Sequence, residues 1–285
     1  MPRFLDGFEG GSRFLMEYVP APGVAPRGAV LCLQALAEEG NLGRRVLSTQ
    51  AARMASRGWR VWLPDLWGCG DSRGCTEETT LARWRADLGR LLALLRAEGA
   101  SGGGMPARLM VWGLRSGCAL AVDLLSREGA PRDALLLWQP GAPVAPWGGK
   151  SRLAAMADGR LADVKATADG RTLPVAMPDA MASVAGYSFR RSFLEELDRL
   201  SCAPPPGVSH DGREVSLIRM GRVMPGSIGP GRSATPALDS LAEQWRSAGA
   251  RVTTAACIAE PFWTSIEPSF PVTAFEATEQ FLDSV

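Results

Sequence analysis

Between a short apolar run, Leu109-Met110-Val111-Trp112, and the helix-like Cys118-Ala119-Leu120-Ala121-Val122 lies Gly113-Leu114-Arg115-Ser116-Gly117. A strand that passes into a helix within five residues must turn sharply. Glycines at the first and fifth positions remove Cβ atoms that would collide there, and the turn lifts the central side chain above the strand end. Here the lifted group is a guanidinium, permanently charged, with five donors and no acceptor. It can hold an anion, and it cannot attack a carbonyl carbon. Ser116 stands one place late: its backbone N–H faces the turn while its side chain is expected in the first helical turn, as a small helix-start residue, with a displaced nucleophile as the alternative. Cys118 reads as a buried core thiol.

The flanking sequence supplies a sheet for that strand to join. Ala29-Val30-Leu31-Cys32-Leu33 has the continuous apolar character of a strand buried on both faces, and the spacing predicts a helix from Arg44 to Arg57 that stops at Gly58. Trp59 to Asp65 reads as the next strand, and residues 81, 84, 88, 91, 92 and 95 repeat at helical spacing. Asp133 to Trp138 adds a strand; Glu214 to Met220, Pro236 to Ser247, Arg251 to Ile258 and about Val272 to Leu282 continue strand, helix, strand, helix. Buried strands alternating with amphipathic helices mean a mostly parallel, doubly wound α/β sheet. Between 141 and 212 the alternation loosens into Ala-, Gly-, Met- and Pro-rich sequence, with a helix at Ser192 to Leu200 and a stiff Ala203-Pro204-Pro205-Pro206-Gly207 linker. The division expected is therefore a core from 1–140 and 213–285 with a cap or lid inserted at 141–212.

Two further motifs give this pattern a likeness. Asp65-Leu66-Trp67-Gly68-Cys69-Gly70-Asp71-Ser72 resembles the D-x-x-G-x-G-x-S loop of the α/β-hydrolases, whose nucleophile elbow reads G-x-S-x-G where this chain has Gly113 to Gly117. More narrowly, Ala37-Glu38-Glu39-Gly40-Asn41 followed by Arg44-Arg45 resembles the A-E-E-x-N-x-x-R-R signature of the exosortase A system-associated hydrolases, in the group called hydrolase 2. Trp112-Gly113-Leu114-Arg115-Ser116-Gly117, Leu135-Leu136-Leu137-Trp138-Gln139-Pro140, Val184-Ala185-Gly186-Tyr187 and Phe262-Trp263-Thr264-Ser265-Ile266-Glu267 match that group in the same order, from about residue 28 to 270. The resemblance implies an α/β-hydrolase fold with a cap, hydrolysis of an ester or thioester type bond, and a link to exopolysaccharide production and protein sorting, with other proteins of that system as partners. One departure is Gln34-Ala35, where the group has His-Pro. Glutamine does not titrate, so no proton transfer can be assigned to that position.

Serine-triad chemistry needs a nucleophile, a histidine base and an orienting acid. The single histidine, His210, precedes a strand instead of following the last one, and reads as a solvated turn residue. After the last strand stand Ala259-Glu260-Pro261-Phe262-Trp263. Loss of the nucleophile or base costs on the order of a millionfold in turnover. The candidate catalytic set is accordingly Arg115, Ser116, Glu38, Glu39 and Glu267, with carboxylates as the groups able to activate water. Arg115 is expected to pair with Glu38 or Glu39, since an opposite charge offsets the desolvation of a guanidinium, while the other glutamate stays in solvent. Gln34, Asn41, Arg44, Asp71, Trp138 and Trp263 are the candidate substrate contacts. Arg44 and Arg45, read as opening a helix, oppose its dipole, which calls for a carboxylate or ligand anion beside one of them. Trp67, Trp138, Trp263 and Tyr187 could wall an apolar pocket or complete the core.

Thirty-one Lys and Arg against 30 Asp and Glu leave a net charge of +1, which excludes a basic footprint for nucleic acid. Six cysteines lack C-x-x-C or metal-ligand spacing and read as reduced cytosolic thiols. No stretch approaches the ~18 apolar residues of a spanning helix, and Met1 to Gly7 has no leader pattern, so a cytoplasmic protein without metal or cofactor is expected. Two functions compete: a hydrolase without a Ser-His-Asp triad, and a catalytically silent fold that binds an anionic small molecule or docks on a partner.

Overall fold

The computed structural model describes every residue except 102–107, 131, 142–180, 185, 222–235 and 268. Most of the expected cap, 142–180, thus lies outside the described residues. Among the described residues ten strands occur in chain order: β1 (Pro2–Leu5), β2 (Arg13–Tyr18), β3 (Gly28–Leu33), β4 (Trp59–Pro64), β5 (Arg108–Leu114), β6 (Ala134–Trp138), β7 (Met181–Val184), β8 (Tyr187–Arg190), β9 (Glu214–Gly221) and β10 (Arg251–Ile258). The α-helices among the described residues are α1 (Glu38–Ser56), α2 (Leu81–Ser101), α3 (Ser116–Glu128), α4 (Arg191–Asp198), α5 (Pro236–Ser247) and α6 (Val272–Ser284).

Eight strands form one sheet in the order β1-β2-β4-β3-β5-β6-β9-β10, and β7-β8 make a separate hairpin. From β4 to β10 every pairing is parallel, while β1 and β2 add an antiparallel edge. The central strands β3, β5 and β6 are apolar and buried on both faces, as a sheet covered by helices requires. One core packs Leu88, Leu92, Leu120, Leu124, Leu241 and Trp245 from α2, α3 and α5 on one face. A second core packs Val46, Leu47, Met54, Phe275 and Phe281 from α1 and α6 on the other. Strand order reverses at β3, so the crevice at the carboxyl ends of β3 and β5 is the switch point where ligands of open α/β sheets bind.

Three differences from the sequence reading matter. The antiparallel β1-β2 pair was not visible, because β1 is four residues long and partly exposed and β2 turns Arg13 and Glu17 to its buried face, where a strand pattern calls for apolar residues. The first helix starts at Glu38, six residues before Arg44. Gly40, Asn41 and Gly43 lower the local helix propensity, but the first turn carries Glu38 and Glu39, which suit the positive end of the dipole. Arg44 and Arg45 therefore sit in the second turn and do not open the helix.

Candidate functional site

The elbow is built as its glycines demand. Arg115 joins β5 to α3 with φ 57° and ψ −117°, a conformation that few residues with a Cβ adopt. A Cβ on Gly113 would lie 2.5 Å from the Gly117 carbonyl oxygen, and one on Gly117 would lie 2.2 Å from that of Leu33. Ala37 (φ 54°) and Gln139 (φ 55°) are the other non-glycine residues with positive φ among those described. They follow β3 and β6, so all three strained positions crowd the carboxyl end of the central strands.

The lifted guanidinium is already engaged. Arg115 Nε donates to Glu39 Oε2 at 3.2 Å and Nη2 to Glu39 Oε1 at 3.1 Å, a two-bond fork in which 15% of the arginine side chain and 20% of the glutamate remain exposed. Its Cζ stands 5.3 Å from the Trp263 ring centroid, within cation–π reach. Trp263 and its edge-to-face partner Phe262, 5.0 Å away, thus occupy the stretch after β10 where a triad would carry its base. Glu38 is exposed and accepts from Asn41 Nδ2 at 3.3 Å.

Ser116 is buried, and its Oγ accepts the backbone N–H of Leu36 at 2.9 Å. In serine sites built on such an elbow one oxyanion donor is a loop N–H of this kind; in this chain the Leu36 N–H is satisfied by Ser116. Cys118 is fully buried, with its Sγ 3.2 Å from the carbonyl oxygens of both Gly113 and Trp138, and burial pushes its thiol well above the ordinary value. It packs as a core thiol.

Beside the elbow, between the β3–α1 connection, the Asp65–Gly70 loop, α2, α3 and β7-β8, lies a cavity of about 420 Å³. Its polar wall carries Gln34, Asn41, Arg44, Asp65 and Tyr187; Leu33, Leu66, Trp84, Leu120 and Phe189 form the apolar one. Asp65, 1% exposed, organises the polar side. It takes an ion pair from Arg44, a bond from Gln34 Nε2 at 3.2 Å and the backbone N–H of Asp71 at 3.0 Å. Asn41 Nδ2 also donates to the Tyr187 hydroxyl, and Arg190 Nε donates to the Glu77 carbonyl at 3.1 Å, so β8 is tied to both rims.

Several candidate residues belong elsewhere. Trp138 is no substrate contact: it is fully buried, 4.8 Å edge-to-face from Trp112 and 6.0 Å from Phe275, with Nε1 donating to Thr278 Oγ1 at 3.0 Å. Asp71 is exposed, outside the cavity lining, and contributes its backbone N–H. Glu267 is exposed on the loop before α6 and does not line the cavity. His210 is not a solvated turn residue. It is 2% exposed, 4.8 Å edge-to-face from Trp245, and among the described residues neither ring nitrogen has a hydrogen-bond partner. It precedes β9, so the length of that strand, roughly 26 Å at ~3.3 Å per residue, separates its end of the sheet from the elbow. Asp65, Trp84 and Phe189 were not picked out as site residues. The first position of the D-x-x-G-x-G-x-S loop was the available signal for Asp65.

The sheet order, the parallel core and the strained elbow at the switch point decide the architecture. The fold is that of the α/β-hydrolases. A highly thermostable carboxyl esterase from Bacillus coagulans, in complex with glycerol, superposes with TM-score 0.65 at 12% identity over 100% of this chain and 98% of that one. A soluble variant of monoglyceride lipase from Saccharomyces cerevisiae gives 0.62 at 12% over 100% and 95%, and Est1E from Butyrivibrio proteoclasticus gives 0.59 at 13% over 99% and 98%. No family model matches the chain, and no curated protein sequence matches it significantly. Among the described residues no helix is long and apolar enough to cross a membrane.

Proposed function

We propose that this chain is an α/β-hydrolase-fold protein of the exosortase A-associated hydrolase 2 group that binds a small, uncharged, acyl-bearing molecule in the 420 Å³ cavity and does not perform serine-triad acyl transfer. The observation that carries this reading is the Leu36 N–H to Ser116 Oγ bond, 2.9 Å, together with the Arg115–Glu39 fork. The Leu36 N–H is satisfied within the chain, and the apex group is a cation held by a carboxylate. The cations near the cavity are likewise matched: Arg44 pairs with Asp65, and Arg115 with Glu39. Among the described lining residues Arg44 is the one cation and is already paired with Asp65, so a neutral ligand fits better there than the anion that the isolated sequence suggested. Its polar end would lie against Gln34, Asn41 and the Tyr187 hydroxyl, its apolar body against Trp84, Leu120 and Phe189. The biological setting this reading assigns, inherited from the family likeness, is cytoplasmic and tied to exopolysaccharide and protein-sorting proteins.

A second reading, hydrolysis of an ester or thioester by water activated on a carboxylate, draws on the retained backbone strain at Ala37, Arg115 and Gln139, because strain of that kind persists where a site needs it. A panel of nitrophenyl and thioester substrates, run beside thermal unfolding with the same acyl groups as esters, amides and free acids, separates the two. Binding at 100 times Kd stabilises by about 2.7 kcal/mol. Stabilisation by neutral members without turnover, lost in Leu120→Phe, which fills the cavity, supports the binding function. Turnover that vanishes in Glu39→Gln supports hydrolysis and overturns the first reading.

A further inference from the structure

The amides on the polar wall of the cavity have already spent their donors, and the groups left over state which hydrogen bonds a ligand must bring. Gln34 Nε2 donates to the Pro64 carbonyl at 3.1 Å and to Asp65 Oδ1 at 3.2 Å. A backbone carbonyl and a carboxylate in an ion pair with Arg44 can only accept. The amide is therefore fixed with its nitrogen toward Asp65, both its protons are used, and Oε1 is what Gln34 has left to offer in the cavity it lines. Asn41 repeats the pattern at the rim. Its Nδ2 donates to Glu38 Oε2 at 3.3 Å and to the Tyr187 hydroxyl, so Oδ1 is its remaining group.

Each of these two acceptors has a donor for a neighbour. Gln34 and Arg44 meet at Asp65 Oδ1, and Arg44, which gives Nη2 to that oxygen, keeps further N–H groups. Asn41 touches the Tyr187 hydroxyl, which accepts from it and keeps its own proton to give. Asn41 and Arg44 stand three residues apart on α1, which makes them neighbours on one helix face, so the two acceptor-donor pairs lie side by side. An ester carbonyl, an ether or a carboxylate only accepts: it would serve the donors and strand the amide oxygens. An N–H group does the reverse. A hydroxyl donates and accepts through one atom, and so matches each pair. Once a ligand covers the wall, an acceptor without a donor has lost its water and gained nothing in exchange.

We propose that the ligand of this cavity is a polyol bearing an acyl chain, with one hydroxyl bonded between Gln34 and Arg44, another between Asn41 and Tyr187, and the chain against the apolar wall formed by Trp84, Leu120 and Phe189. The inference rests on the neutral-ligand reading above and narrows it from uncharged acyl compounds in general to those with two hydroxyls at the polar end.

Calorimetric titration of the full chain with the hexanoyl amide of aminopropanediol and with the dimethyl ether of the same compound tests the proposal. The two share chain, charge and carbonyl, and differ in two O–H donors. The diol should bind about tenfold more tightly, as two hydrogen bonds of ordinary net strength imply. Tyr187→Phe removes a hydroxyl and keeps the ring, and Gln34→Met keeps the length and removes the acceptor. Each should weaken the diol about threefold or more and leave the ether within about twofold, with the thermal melt retained. An ether that binds as tightly as the diol overturns the hydroxyl assignment and leaves the binding reading standing. A diol preference that Tyr187→Phe and Gln34→Met both retain overturns it as well, because the hydroxyls then lie elsewhere. Failure of both compounds to bind overturns this inference together with the reading it rests on.

Discussion

If Arg115 is held by Glu39 as a neutralised apex and not as a free anion grip, the two side chains are energetically coupled, and a double-mutant cycle measures the coupling. Arg115→Ala and Glu39→Gln are the two arms. Alanine retains a Cβ at φ 57°, so backbone strain is the same before and after and cancels from the cycle. Breaking a fully buried ion pair from one side costs 3–5 kcal/mol. Here 15% and 20% of the side chains remain exposed, and each stranded charge can turn partly toward water, which lowers the expectation to about 2–3 kcal/mol for Glu39→Gln. Arg115→Ala leaves Glu39 in the first turn of α1, where the helix dipole favours it, but also removes the contact with Trp263, worth about 0.5–1 kcal/mol. Urea unfolding followed by tryptophan fluorescence should give single losses of about 2 kcal/mol and an interaction energy of about 1.5–2 kcal/mol. Additivity within about 0.5 kcal/mol, the behaviour of independent sites, would show that the fork contributes nothing and refute the reading of Arg115 as neutralised by Glu39.

Ser116→Ala should cost about 1–3 kcal/mol in the same assay, because Leu36 N–H is buried and loses its acceptor; a rise in esterase turnover of the variant would instead mark Ser116 as a plug on a working site. Trp138→Phe, which empties core volume and strands the Thr278 hydroxyl, should destabilise by about 2–3 kcal/mol and leave ligand binding in the cavity unchanged; a lost thermal shift would return Trp138 to the site. Burial, assisted by Arg213, holds His210 below the usual histidine pKa, so the unfolded chain binds a proton more readily than the folded one. Stability should therefore be intact above about pH 6.5 and fall as the pH drops through and below that value, and urea titrations of His210→Phe should lack that slope.

Much of the fold was legible from residue order, and particular elements show why. Strands β3, β5 and β6 are buried on both faces and announce themselves as unbroken apolar runs, and α5 and β10 fall at the predicted limits. The β1-β2 edge, half exposed, has no such run. The site was less legible. Its elbow is local, five residues whose glycines state the turn, but its electrostatics are not. Arg115 meets Glu39 across 76 positions and Leu36 meets Ser116 across 80. Trp138 ends a strand, which suits a pocket wall or a core equally, and the packing of α6 chose the core.

The chain alone determined that a cation crowns the strand-to-helix bend and that the only imidazole lies outside the stretch a triad would use, because both are matters of covalent order. Only the tertiary structure decided which carboxylate neutralises that cation and which backbone N–H the Ser116 hydroxyl accepts. Each of these is set by where the closing of the sheet brings distant segments within 3 Å or so of one another, and hydrogen-bond distance is a property of space that no local periodicity encodes.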